Sequence, residues 1–122
     1  MATSLRITTK IRNDTDKWER GEQSVSVTTT GDHLQLAKHT IGTSEESITI
    51  ASDITGGEGP GFCHIYNSDA TNYVQIGIST GAYFGKLKAG ESACLRLDAG
   101  VTTLYLKANT AACKVEVLIY ES

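Results

Sequence analysis

Hydrophobic residues at every second position, in short runs from residue 24 onward, are the feature that most limits how this chain can fold. Alternation places apolar side chains on one face of a β-strand, and turn residues such as those in Gly31-Asp32 and Asp98-Ala99-Gly100 separate one run from the next. The runs span residues 24–28, 34–36, 48–50, 62–66, 73–78, 95–97, 104–107 and 115–120. A turn-to-turn repeat of about ten residues is typical of a sandwich or barrel. The sequence therefore predicts an all-β, single-domain antiparallel β-sandwich of roughly nine or ten strands.

Strand order does not follow from local pattern, so a jelly roll and an immunoglobulin-like sandwich both remain open. The 122 residues suit one domain. We expect residues 1–23 to form an N-terminal arm, with a strand that places Leu5 and Ile7 on one face, and residues 24–122 to form the sandwich body. The polar segment 10–23 and the glycine-rich segment 52–61 are predicted to be loops.

The charge pattern argues against two kinds of partner. The chain has a formal net charge of -3, and its Lys and Arg residues are scattered. Nucleic-acid and anionic-membrane binding both depend on clustered cations, so neither partner is expected. No apolar run reaches the length of a spanning helix, and the first residues lack an apolar stretch of signal-peptide length. We therefore expect synthesis and assembly in a cytoplasm.

Three cysteines, Cys63, Cys94 and Cys113, have no zinc or redox spacing. In a reducing compartment the default is free thiols, and Cys63 and Cys113 are interpreted as small core residues. A Cys63–Cys113 bridge is the alternative that the sequence leaves open.

The search for catalytic and ligand-binding motifs gives no candidate. Glycines 56, 57, 59 and 61 resemble a dinucleotide loop, but Phe62 stands where the third glycine belongs and a strand follows. The segment 81–86 is too short for a phosphate-binding P-loop, and Asp14-x-Asp16 lacks the rest of a calcium loop. The three histidines, at 33, 39 and 64, lack metal-ligand spacing and are expected to be isolated. We therefore predict no catalytic residue, no metal site and no cofactor.

Trp18 is the one aromatic residue that the sequence singles out, because it lies alone among charged residues. Two interpretations stand: a core contact from a folded-back loop, or an aromatic anchor at a subunit interface. The candidate partner interface combines the arm with the glycine-rich segment. Its residues are Leu5, Ile7, Trp18, Gly56, Gly57, Gly59 and Pro60.

From about residue 40 to the end, the chain resembles a family of small virion structural proteins of tailed bacteriophages. The segments that carry the resemblance are 41–47 (IGTSEES), 65–77 (IYNSDATNYVQIG), 84–91 (FGKLKAGE), 95–97 (LRL) and 104–112 (LYLKANTAA). They cover about two-thirds of the chain. The family pattern holds no catalytic residue to transfer to this sequence.

The resemblance implies a virion protein that binds the major capsid protein or other virion proteins, first of all as a head decoration (cement) protein. A homotrimer would suit the quasi-threefold sites of a capsid. A neck or tail protein is the alternative within this class. In a second class, a carbohydrate-binding adhesion module would use exposed aromatic residues. The candidates are Trp18, Tyr66, Tyr73, Tyr83 and Phe84. An enzyme would require His64, a cysteine and a carboxylate to meet in one cleft.

Overall fold

The computed structural model describes residues 3–122 and shows an almost entirely β-stranded chain. Its ten strands are β1 (Thr3–Asn13), β2 (Trp18–Thr29), β3 (Leu34–Ile41), β4 (Glu46–Thr49), β5 (Pro60–Asn67), β6 (Val74–Ser79), β7 (Ala82–Leu87), β8 (Ser92–Arg96), β9 (Thr103–Ala108) and β10 (Cys113–Glu121). One helical turn, α1 (Ser52–Thr55), lies between β4 and β5. The prediction of an all-β fold with about ten strands is confirmed.

Strands β3 to β10 form two four-stranded antiparallel sheets. The orders are β3-β10-β5-β8 in one sheet and β4-β9-β6-β7 in the other. Four of the pairings join β3 with β10, β4 with β9, β5 with β8, and β6 with β7. The eight strands therefore pair like one long hairpin that is rolled into two layers. That is the jelly-roll arrangement, so the structure resolves the choice that the sequence left open.

The hydrophobic core lies between the two sheets and follows from the alternation. Along β10, Cys113, Val115, Val117 and Ile119 are buried, and the residues between them are more exposed. Strands β4, β5, β6 and β9 contribute their inward residues in the same way. Every buried aliphatic residue of this core lies between Ile41 and Ile119, so the body has a complete core without the first two strands.

Strands β1 and β2 form a separate two-stranded antiparallel sheet, called here the arm. Residues 10–23 were predicted to be a loop, and that prediction is wrong. They belong to these two strands except for the turn at residues 14–17. Because most of these side chains are polar, this part of β1 and β2 has no apolar alternation that would predict a strand. Strand β2 also runs through the expected boundary at residues 23 and 24.

Two β-bulges interrupt the pairing of β6 with β7 and correct a second expectation. Val74 and Ile76 face the core as predicted, but Ile78 is 52% exposed. Ile76 pairs with Gly85, Gly77 with Tyr83, and Ser79 with Ala82, which leaves Phe84 and Ile78 without opposite residues. A bulge breaks strict alternation because it adds one residue to one strand only.

The glycine-rich segment is more ordered than the predicted loop. It contains α1, and Pro60 and Gly61 already belong to β5. Cys63, Cys94 and Cys113 are free thiols, and Cys63 and Cys113 are buried as core residues. Burial raises the pKa of the Cys63 thiol to about 12. Within residues 3–122, the one helix is far too short to cross a bilayer.

Candidate interaction surfaces

The arm is amphipathic, and its two faces differ sharply. Leu5 pairs with Val27 and Ile7 with Val25, so four aliphatic side chains share one face, called here the apolar arm face. On the opposite face Arg6 pairs with Ser26 and Thr8 with Ser24, and the Thr8 and Ser24 hydroxyl oxygens are 2.8 Å apart. Val25 is 52% exposed. A two-stranded hairpin with an apolar face is marginal by itself in water, and such a face normally packs against something.

The far end of the arm is closed by a side-chain-assisted turn. The Asn13 side-chain oxygen accepts hydrogen bonds from the backbone N–H groups of Thr15 (3.0 Å) and Asp16 (3.1 Å), and Lys17 adopts a positive φ of 58°. Lys10 and Glu19 form an exposed ion pair across the strands at 3.0 Å. Trp18, opposite Asn13, is 54% exposed. It therefore lies outside the core, and its interpretation as an anchor at a subunit interface stays a prediction.

The joint between the arm and the body, residues 30–33, is tied to the end of β10. The Gly31 N–H donates to the Ser122 carbonyl at 2.8 Å, and the Glu121 N–H donates to the His33 carbonyl at 2.9 Å. The Glu121 carboxylate accepts the backbone N–H of His33 at 3.1 Å and that of Glu58 at 2.9 Å. One buried side chain thus connects the joint, the glycine-rich segment and the sheet.

Electrostatics at the joint strengthen this connection. Hydrogen bonds from the Glu58 and His33 backbone N–H groups, and then from the His33 ring, lower the pKa of Glu121 to about 2. The His33 Nδ1 atom lies 2.7 Å from a Glu121 oxygen, and this hydrogen bond raises the pKa of His33. The expectation that His33 would be isolated is therefore wrong. No sequence pattern points to Glu121, because its partners lie 63 and 88 residues away along the chain.

The same residues form one group with the composition of a metal site. Asp32, His33 and Glu121 each place a possible ligand atom within 4.8 Å of the others. Both Glu121 oxygens already accept hydrogen bonds from protein N–H groups. Within this group, Glu121 and His33 fix the joint through their hydrogen bonds.

The glycine-rich part of the predicted interface lies beside this joint. Gly56 and Gly57 are exposed, and a Cβ atom on Gly57 would overlap the Glu121 carboxylate. Gly59 and Pro60 are buried, and Gly59 has a φ of +83°. Because they are buried, these two residues offer little surface to a partner, and their place in the interface stays a prediction. The structure brings Leu5 and Ile7 together, and places Trp18 at the opposite end of the arm from them.

A second exposed apolar surface lies on the outer face of the β3-β10-β5-β8 sheet. Leu34 pairs with Tyr120 and Leu36 with Leu118, which sets four large side chains side by side on β3 and β10. This surface is called here the receiving face. Leu34 is 51% exposed and Leu36 is 57% exposed. The alternation in β3 shows that Leu34 and Leu36 share one face of the strand, but it does not show whether that face is buried or exposed.

A third apolar feature lies where the sandwich opens between β7 and β8. The bulged residues Ile78 and Phe84 and the edge residue Leu95 surround a cavity of about 20 Å³ that reaches core residues such as Ile76 and Leu104. That volume is close to one water molecule, so this feature, called here the notch, is shallow.

The aromatic residues considered for glycan binding lie on different surfaces. Trp18 is on the arm, Tyr66 is on the outer face of β5, and Phe84 is at the notch. The Tyr73 ring is covered by Lys86, whose Nζ atom is 4.6 Å from the ring centroid. Tyr83 donates a hydrogen bond to Glu45, which raises the pKa of Tyr83 to about 12. The five residues do not form one platform.

Comparison with known proteins adds no family to these observations. No family model matches the chain, and neither a curated protein nor a solved structure matches it.

Proposed function

We propose that this chain is a structural component of a bacteriophage virion. Its first role in this proposal is a head decoration protein, assembled in the host cytoplasm, that binds the major capsid protein as a homo-oligomer. The observation that carries the proposal is the arm: an amphipathic hairpin attached to a complete jelly-roll body, with an apolar face whose side chains are half-buried or, at Val25, exposed. A building block must bury surface on neighbours, and an arm of this kind supplies that surface.

Two further observations support a structural role. Segments between residues 41 and 112 resemble small tailed-phage virion proteins. The jelly roll itself occurs in viral capsid proteins, but also in lectins and cupins, so the fold raises this possibility without selecting it. A neck or tail position is the alternative within the same class.

The test is binding of the purified chain to assembled particles of the phage whose genome carries this sequence. We expect it to co-sediment with heads that lack it, and to appear at regular sites on their surface in a cryo-electron microscopy reconstruction. Density at the neck or tail alone would favour the alternative position. A protein that binds neither heads nor tails would overturn the proposal.

A glycan array in parallel separates the two classes of function. Specific glycan binding without particle binding would instead support an adhesion module.

A further inference from the structure

The arm and the receiving face are two largely aliphatic surfaces on the same chain, and the side chains of each are half-buried or exposed. The apolar arm face offers Leu5, Ile7, Val25 and Val27. The receiving face offers Leu34, Leu36, Leu118 and Tyr120. Sheets pack face to face through such side chains at a separation of about 10 Å, so each surface is a suitable partner for the other.

The geometry of the joint determines whether the arm packs on its own body or on a second copy. In the structure neither surface covers the other, since Val25 and Leu36 are both more than half exposed. To fold back onto its own body, the arm would have to pivot about the joint, where hydrogen bonds hold Gly31 and His33 to Ser122 and Glu121. The buried Glu121 side chain, held by Glu58 as well, opposes that movement. A second copy can receive the arm without disturbing the joint.

The dimensions of the arm also suit a second copy. Its strands contain 11 and 12 residues, and at about 3.3 Å per residue they extend for about 35 Å. A body of this size is about 30 Å across, so one arm can span a neighbouring body. Two strands about 5 Å apart give a contact roughly 35 by 10 Å. If each copy gives one arm and receives one, a reciprocal pair buries roughly 1,400 Å² in total, or about 700 Å² per copy, which is within the range of stable interfaces.

We propose that the chain self-associates by arm exchange, in which the apolar arm face of one copy packs on the receiving face of a second copy. The inference rests on the proposed structural role, and it names the partner and the surfaces that role would use. The contact joins two different surfaces, so it closes either as a reciprocal pair or as a ring of copies.

Sedimentation velocity with the full chain tests the exchange. The variant Ile7→Glu/Val25→Glu places two carboxylates on the apolar arm face, and Leu34→Glu/Leu36→Glu does the same on the receiving face. Each should weaken self-association by about 100-fold or more, because charges would have to be buried without partners. The matched control is Thr8→Glu/Ser24→Glu, which charges the opposite face of the same arm at the neighbouring pair and should still associate.

Mixing the two apolar-face variants distinguishes exchange from other contacts. The receiving-face variant keeps an intact arm, and the arm variant keeps an intact receiving face. Together they should form a one-to-one complex, although each is monomeric alone. Arm-to-arm contact predicts no complex in this mixture. Circular dichroism of each variant checks that the body is folded. If the arm variant does not fold, Val25→Ser replaces it.

Three results would overturn arm exchange: a wild-type chain that stays monomeric at about 100 µM, an oligomer that the arm variant leaves intact, or a mixture without a complex. The concentration of about 100 µM is chosen because even a weak contact, with a dissociation constant of about that value, would be substantially occupied there. A monomer that still binds heads would reject the exchange and the homo-oligomer, and retain the proposed role as a head decoration protein. An arm-exchanged oligomer that binds no phage particle would retain the exchange and reject the proposed function.

Discussion

At the scale of single residues, Glu121 has the most influence on how the molecule is arranged. Its side chain is 3% exposed, and its carboxylate accepts hydrogen bonds from residues 58 and 33. A buried carboxylate is tolerated when N–H donors satisfy it, and here the donors come from two separate parts of the chain, both distant from β10 in sequence. The orientation of the arm therefore depends on an ionised group.

The pKa of Glu121 gives a pH dependence with a definite sign. Its folded-state pKa of about 2 is below the ordinary value of 4.5. The carboxylate therefore stabilises the fold above pH 4.5, and this contribution is lost as the pH falls from 4.5 toward 2. We expect Glu121→Gln to lower the free energy of unfolding at neutral pH and to flatten its decline below pH 4.5. Urea unfolding between pH 2 and 7 measures both effects.

Glu116→Gln is the control for this experiment, because Glu116 lies on the same strand with its side chain on the outer face. It should leave the pH profile close to that of the wild type. Equal acid sensitivity in the wild type and Glu121→Gln would contradict the role given to this carboxylate.

Gly31 is required at the joint for a steric reason. It is buried, and a Cβ atom there would overlap the Glu121 side chain, which hydrogen bonds hold in place. We expect Gly31→Ala to destabilise the fold by about 1–3 kcal/mol. Gly21→Ala, on the arm with no described atom within 4 Å of the new Cβ, should change stability by less than about 0.5 kcal/mol. Thermal unfolding compares the two, and equal stabilities would show that the joint adapts freely.

At the scale of secondary-structure elements, the arm differs from every other strand pair. Its two strands pair with each other, and their side chains from Ser4 onward are exposed or half-buried apart from Thr29 at the base. The body strands have a sheet on each side of a shared core. Stability within one chain therefore differs between the arm and the body.

Amide hydrogen exchange should reveal this difference. In a dilute monomer, the amides of β1 and β2 should exchange much faster than those of β5 and β10, because local opening of the arm exposes no core. The measurement is exchange by mass spectrometry at two protein concentrations. Protection of the arm equal to that of β10 in the monomer would show that the arm is stable without a partner.

At the scale of the whole molecule, the body carries the fold and the arm carries a surface. The buried aliphatic core begins at Ile41, after the arm and the joint. A chain that begins at Thr30 should therefore fold cooperatively, with a melting temperature within about 5 °C of the full chain, a shift that corresponds to about 1 kcal/mol for a domain of this size. Near-ultraviolet circular dichroism and calorimetry test this, and a truncated chain without a cooperative transition would place part of the core in the arm.

The sequence determined the layered β architecture, because alternation of aliphatic and polar residues gives each such strand one apolar face and one polar face. The core positions Val74, Ile76, Val115, Val117 and Ile119 could all be identified from that pattern. The strands that it missed are those without alternation, namely the polar ends of the arm.

Tertiary structure alone decided three things. The jelly-roll order follows from pairing between strands far apart in sequence, such as β3 with β10, and local pattern does not encode such pairing. The bulges that expose Ile78 and Phe84 depend on register across two strands. The joint at Glu121 depends on contacts between residues 63 and 88 positions apart. A local pattern reports which face of a strand is apolar, and only the folded chain shows which of those faces is left uncovered.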